Sequence, residues 1–160
     1  MDELLVKSSD IENITTKYLT FLLGEEHYAI NLCFIQEIAQ NIEKIIKIQN
    51  SPDYILGVIK MHDGVIPLID LRIFYKLSIQ TNQQPYVVMI ININDDLYGI
   101  IVDGILDIID INQQTLKPLN LSTIVPHYYI EGLAVIENVA FIIFNIKNFI
   151  HHEVTHIKTT

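Results

Sequence analysis

The sequence predicts a mainly β protein, built as two small β-barrels packed around one shared core, with short helices. Three observations predict it. Half of the 160 residues are apolar, and Ile, Val and Leu dominate them alongside Tyr and Phe; such side chains fit a pleated surface better than a helix. The apolar runs are separated by short polar turns. The chain also repeats itself, in two block pairs that align without gaps.

Residues 1–16 read as a polar, weakly ordered arm, residues 17–150 as the packed domain, and residues 151–160 as a tail. The first block is Phe21-Leu22-Leu23, the turn Gly24-Glu25-Glu26, then Tyr28-Ala29-Ile30, Leu32, Ile35, Glu37 and Ile38. Seventy residues on come Ile91-Asn92-Ile93, the turn Asn94-Asp95-Asp96, then Tyr98-Gly99-Ile100, Val102, Ile105, Asp107 and Ile108. Two strands around such a turn form a β-hairpin. The second block pair is offset by seventy-five. Gly57-Val58-Ile59 matches Gly132-Leu133-Ala134, Asp63 matches Asn138, and Val65–Ile69 matches Ala140–Phe144. Asp70-Leu71-Arg72 then matches Asn145-Ile146-Lys147, with Asp70 and Asn145 as helix N-caps.

Asn50-Ser51-Pro52-Asp53 reads as a turn. Leu77–Pro85 reads as the linker between copies, and Lys117-Pro118 and Val125-Pro126 break the second copy. The tail from Lys147 reads as ending in a short helix. One hairpin cannot bury its own apolar face. Two hairpins folded on each other can, by closing into a barrel, and two barrels packed together share a core.

Charge and cysteine usage remove several function classes. The net charge is −9 and Arg72 is the only arginine, so the clustered cations that nucleic acid requires are missing. The same deficit argues against an anionic membrane surface. No run reaches the ~20 apolar residues of a membrane helix, because Asn92, Asp95 and Asp103 interrupt the long ones. Met1–Asp10 carries two acids early, Asp2 and Glu3, and no apolar signal-peptide region. Cys33 is alone, which excludes an internal disulfide. The expected compartment is the cytoplasm.

The candidates for chemistry are weak. His152-Glu153-Val154-Thr155-His156 spells H-E-x-x-H, which on a helix can hold zinc with the Glu as base. It sits on a terminal tail with no third ligand after it, so a zinc hydrolase is a remote alternative. Glu25-Glu26 and Asp95-Asp96 fall in solvated turns, whereas acid–base chemistry wants perturbed groups in a cleft. Cys33 near His27 reads as a small buried hydrophobe. No serine-nucleophile turn and no glycine-rich phosphate loop is present. No cofactor or metal is expected. What remains is surface: Ile35-Gln36-Glu37-Ile38 and Ile105-Leu106-Asp107-Ile108 are matched apolar segments, each with an acid. Symmetry puts both near the junction of the barrels, where a groove would suit an amphipathic helix.

From about Tyr18 to Ile150 the chain resembles the CheW-like chemotaxis coupling proteins. The carrying stretches run from Phe21 to Ile30 and then Gln36-Glu37-Ile38. Next come Asn50-Ser51-Pro52 with Ile55, Gly57-Val58-Ile59, and Ile66-Pro67-Leu68-Ile69-Asp70-Leu71-Arg72. The last are Gly99–Ile105 and Gly132-Leu133. The resemblance implies two five-stranded, SH3-like barrels interleaved around a shared core. It also implies a non-enzymatic adaptor linking the cytoplasmic tip of methyl-accepting chemoreceptors to the regulatory domain of a CheA-type histidine kinase, at the receptor array on the inner face of the membrane.

Carried over by motif, the receptor groove would take Ile35, Glu37, Ile38, His62, Val87, Gly99, Ile105 and Ile108. The kinase-facing side would lie on the first barrel around Gly57, Val58, Ile59 and Met61. One departure stands out. Relatives read Asn-Leu-Arg-Gly where this chain has Lys60-Met61-His62-Asp63, and a histidine lacks the five-donor fork and permanent charge of arginine. Gly64 is expected to take over the turn, one residue late. The departure leaves open a divergent paralogue that serves a pilus-twitching pathway or occupies kinase rings without receptor coupling.

Overall fold

Among the described residues the branched and aromatic runs form ten strands, and every predicted hairpin is present. The computed structural model describes residues 14–40, 42, 44–77, 86–118 and 129–155. In the first copy β1 (Thr16–Leu23) and β2 (Glu26–Asn31) are followed by a 3₁₀ turn (Leu32–Phe34) and β3 (Ile35–Ala39). Then come β4 (Ile55–Met61), β5 (Gly64–Asp70) and the short helix α1 (Leu71–Phe74). The second copy repeats the order with β6 (Val87–Ile93), β7 (Asp96–Val102), β8 (Gly104–Ile111), β9 (Ile130–Ile136), β10 (Val139–Phe144) and α2 (Ile146–Glu153). Both predicted caps are formed: Asp70 Oδ1 accepts from the Arg72 N–H at 2.9 Å, and Asn145 Oδ1 from the Asn148 N–H at 3.0 Å. The linker residues 78–85, the Val125-Pro126 break and the arm up to residue 13 lie outside the described residues. Val154, just after α2, is buried, so packing runs past residue 150.

Each barrel-like sheet has five strands and draws on both copies. One has the order β8-β1-β2-β10-β9, the other β3-β6-β7-β5-β4. The hairpins that fold on each other therefore come from different copies. They are joined by parallel pairing, with His27 opposite Phe141 and Leu68 opposite Gly99. A short crossing segment adds a bridge in each barrel: Ile46 exchanges two backbone hydrogen bonds of 2.8 and 2.9 Å with Val58, and Lys117 exchanges two of 2.8 Å with Leu133. Both crossings pass a glycine at positive φ, +147° at Gly57 and +156° at Gly132. A Cβ on Gly57 would lie 2.2 Å from the Ile46 carbonyl oxygen, and one on Gly132 2.9 Å from that of Lys117. Only glycine leaves this room, which is why these two positions match in the repeat.

The central strands are buried on both faces, and this explains why their sequences are continuous apolar runs rather than alternations. In β7, Tyr98, Ile100 and Val102 face the seam between barrels, while Ile101 faces the interior of its own barrel. In β10, Ile142 and Phe144 face the seam, and Phe141 and Ile143 the other barrel's interior. The seam is the largest of the three apolar clusters and also takes Phe149, Ile150 and Val154. It holds the two barrels as one body and sets the positions of the edge strands β3 and β8 beside it.

Candidate partner-binding groove

β3 and β8 end the strand order of their respective sheets, and both flank the seam. Ile35 in β3 and Ile105 in β8 are half-buried and pack on the seam cluster. Each strand carries an extra residue relative to its neighbour. Ile35 and Glu37 stand opposite Ile91 and Ile90, and Ile108 and Ile105 stand opposite Leu19 and Phe21. Such bulges re-aim side chains, and here they occur at the same place in both copies. Thr20, a buried polar residue among the Leu and aromatic side chains of β1, stabilises the second bulge. Its Oγ1 accepts from the Asp107 N–H at 2.9 Å and donates to the Asp107 carbonyl at 2.8 Å. The result is an exposed apolar surface on both edge strands, with Ile38 38% exposed, Leu106 39% and Ile108 54%. Exposed apolar side chains grouped at a seam mark a contact surface.

Glu37 and His62 meet. His62 sits in the β4–β5 turn, and its Nε2 hydrogen-bonds with Glu37 Oε1 on β3. Both side chains are well exposed, so the pair contributes at most about 1 kcal/mol to stability. Its consequence is positional: it ties the β4–β5 turn to the edge strand β3. Gly64 does not take over this turn. His62 (φ 53°) and Asp63 (φ 61°) are the two left-handed residues, and Gly64 already pairs with Met61 as the first residue of β5. His and Asp tolerate this region well enough to make a two-residue turn. Asn94-Asp95 and Glu137-Asn138 turn in the same way.

The remaining expected groove residues divide. Val87 is half-buried against the seam cluster. Gly99 is buried, and a Cβ there would touch Leu68 and Val88 at 3.0 and 3.1 Å inside its barrel. It is packed inside the barrel and presents no side chain at the seam. The four expected kinase-facing residues lie on β4, in the barrel completed by β3, β6 and β7. Gly57 is buried under the Ile46 crossing and Ile59 is 3% exposed, while Val58 and Met61 are half-buried. Beside β4 lies a cavity of about 380 Å³ whose walls include Ile46, Ile59 and Met61.

The chemistry candidates have structural roles. Glu153 Oε1 accepts from the Tyr129 hydroxyl at 2.7 Å and Oε2 from that of Tyr54 at 3.1 Å, which pins α2 to the core. His156 lies outside the described residues, and among the described residues no group of three metal-ligating side chains assembles. Cys33 is exposed rather than buried, in the 3₁₀ turn that Asn31 caps by accepting from the Cys33 N–H at 3.0 Å. Glu25 and Asp95 sit in exposed hairpin turns. Among the described residues no helix is long and apolar enough to cross a membrane.

Residues 17–154 match the protein family described as CheW-like domain. The chain belongs to this family. It is 27% identical to the chemotaxis protein CheW of Klebsiella aerogenes over 143 residues, covering 89% of this chain and 86% of the relative. It is 30% identical to that of Treponema pallidum, covering 72% and 70%. The crystal structure of the scaffolding protein TtCheW from Thermoanaerobacter tengcongensis superposes with a TM-score of 0.74 at 26% identity, covering 82% of this chain and 89% of that one. CheW-like proteins are non-catalytic scaffolds, in agreement with a site whose polar residues position surfaces rather than reacting groups.

Proposed function

We propose that this chain is a non-enzymatic adaptor that couples chemoreceptors to a histidine autokinase, with the receptor tip in the groove between β3 and β8. The observation that carries this reading is the pair of bulged edge strands, which expose Ile38, Leu106 and Ile108 on either side of one seam. A helix from the receptor tip would lay its apolar face on these side chains. A cation on that helix would find Glu37, with His62 as its alternative partner. The adaptor would act in the cytoplasm, at the array beneath the membrane. The chemotaxis names of the relatives favour this reading over a pilus-twitching or hydrolytic one.

The test is calorimetric titration of the full chain with a soluble chemoreceptor-tip fragment and, separately, with the kinase. Both should bind at tens of micromolar or tighter. Glu37→Lys should weaken receptor binding roughly tenfold while the circular-dichroism spectrum stays the same. Failure of both partners to bind ends the adaptor reading, and undiminished binding of Glu37→Lys removes that residue from the groove.

A further inference from the structure

The two copies part chemically at one place. Beside the start of α2 lies a hollow of about 230 Å³, and Tyr18, Asn31, Phe34, Gln113, Glu131 and Phe144 form much of its wall. By the offsets of the repeat, Tyr18, Asn31 and Glu131 match Val88, Ile101 and Leu56. Those three are apolar and pack together inside the other barrel. Polar replacements on three strands, β1, β2 and β9, thus converge on one hollow. Two of them have partners. The Tyr18 hydroxyl accepts from Gln113 Nε2 at 2.9 Å, and Asn31 Oδ1 accepts from the Cys33 N–H at 3.0 Å. Glu131 differs. Among the described residues no cation pairs with its carboxylate. Desolvation raises that carboxyl above its ordinary value, with no compensating donor. Residues 119–128, outside the described residues, carry no lysine, arginine, aspartate or glutamate to alter this balance. A partly desolvated carboxylate without a counter-charge is costly.

The matched corner shows which counter-charge fits. There the Arg72 guanidinium lies between Asp70 and Asp103. In the second corner the position of Arg72 is held by Lys147, which is exposed and borders the hollow. We infer that the hollow is a binding site for a guanidinium group, paired with Glu131, donating to the Tyr18 and Asn31 oxygens and lying against the Phe34 ring. A guanidinium is planar, weakly hydrated and carries five donors, which suits several acceptors beside an aromatic face. An ammonium holds its water more tightly and has no flat face to stack. The inference goes beyond the adaptor reading and does not depend on it.

The experiment titrates the isotope-labelled full chain with ethylguanidinium and, at equal ionic strength, with ethylammonium, followed by amide NMR. Ethylguanidinium should give saturable shifts at the Gln113 side-chain amide and the Glu131 N–H, with half-saturation in the millimolar range. Glu131→Gln should weaken this binding roughly tenfold, whereas Lys147→Ala should leave it the same or slightly tighter. The spectrum of each variant reports that it is folded. Free arginine and arginine blocked at both ends then separate the two sources of the group: tighter binding of the blocked form assigns the site to an arginine side chain of a protein, and tighter binding of the free form to a small molecule. Shifts that do not saturate, ethylammonium binding as tight as ethylguanidinium, or binding unchanged in Glu131→Gln each overturn the inference. All three leave the adaptor reading intact, because the receptor-tip and kinase titrations test that separately.

Discussion

The two copies end in the same strand-to-helix corner and close it by different chemistry. In the first, Asp70 caps α1, and the Arg72 guanidinium returns two hydrogen bonds of 2.9 Å to the same carboxylate. Its third, at 3.0 Å, reaches Asp103, whose other oxygen accepts from the Gly24 N–H at 2.6 Å. The clasp thus ties α1 to the end of β7 and to the turn of the other barrel. These hydrogen bonds, with Asp70 the largest cause, push the guanidinium above its ordinary range, so it stays charged. In the second corner Asn145 replaces the carboxylate, Lys147 is exposed, and Cys33 stands where the offset of seventy would place the counterpart of Asp103. There α2 is held by Ile146, Phe149 and Ile150 in the core and by Tyr54 and Tyr129 on Glu153. The lesson concerns length. α1 has four residues and buries only Leu71, whereas α2 has eight and buries three apolar side chains, each contributing about 2 kcal/mol. The shorter element needs charge where the longer one uses area.

The crossings separate the copies most sharply. Gly57→Ala should cost about 4 kcal/mol and Gly132→Ala about 2 kcal/mol, because both add left-handed strain but only the first drives a Cβ into a carbonyl at 2.2 Å. Urea unfolding measures both, and equal losses would show that the crossings are interchangeable. Arg72→Ala should cost about 3 kcal/mol, since it strands the buried Asp70. Lys147→Ala should stay within about 0.5 kcal/mol. A comparable loss at Lys147 would mean that the second corner also depends on its cation.

Alkaline pH should loosen the second corner first. Burial, and then the Glu153 carboxylate, push the Tyr54 phenol up to about 12. The unfolded phenol titrates near 10, so the fold favours the protonated form. That contribution is complete below pH ~10 and is lost as pH rises through about 12. Tyrosinate absorbance followed with circular dichroism checks this. Glu153→Gln should lower the Tyr54 titration, and an unmoved midpoint would exclude the carboxylate as a cause. The smallest effect should come from transplanting the clasp: Cys33→Asp with Asn145→Asp and Lys147→Arg should raise stability by about 1 kcal/mol or less, as α2 is already held.

The hairpins, both helix caps and the repeat were legible in the sequence because each is a local pattern, with turn residues between apolar runs and a cap before a helix. The exchange of hairpins between copies was not. Strands buried on both faces, such as Tyr98–Val102 and Phe141–Phe144, carry no alternation to say which neighbour they take. The clasp was hidden because Arg72, Asp103 and Gly24 come from three separate segments. At the candidate groove, Ile35, Ile38, Ile105 and Ile108 were singled out by their matching positions, and the structure leaves Ile38 and Ile108 exposed beside the half-buried Ile35 and Ile105. Gly99 and Cys33 were misplaced because a glycine and a small thiol look alike inside and outside. Thr20 was missed, although a lone polar residue in a run such as Leu19–Leu23 is the visible trace of a bulge.

The exchange of hairpins has a kinetic consequence. β2 emerges early in synthesis, yet its second neighbour is β10, and His27 must wait for Phe141. The barrel that begins the chain is therefore the last to be finished, and closing it requires contacts of long sequence separation, which form slowly. Until then the β2 edge is an open template for any passing strand. A chain that stalls before β9 would leave that edge unpaired, so ribosome-bound intermediates of this protein are natural clients for chaperones.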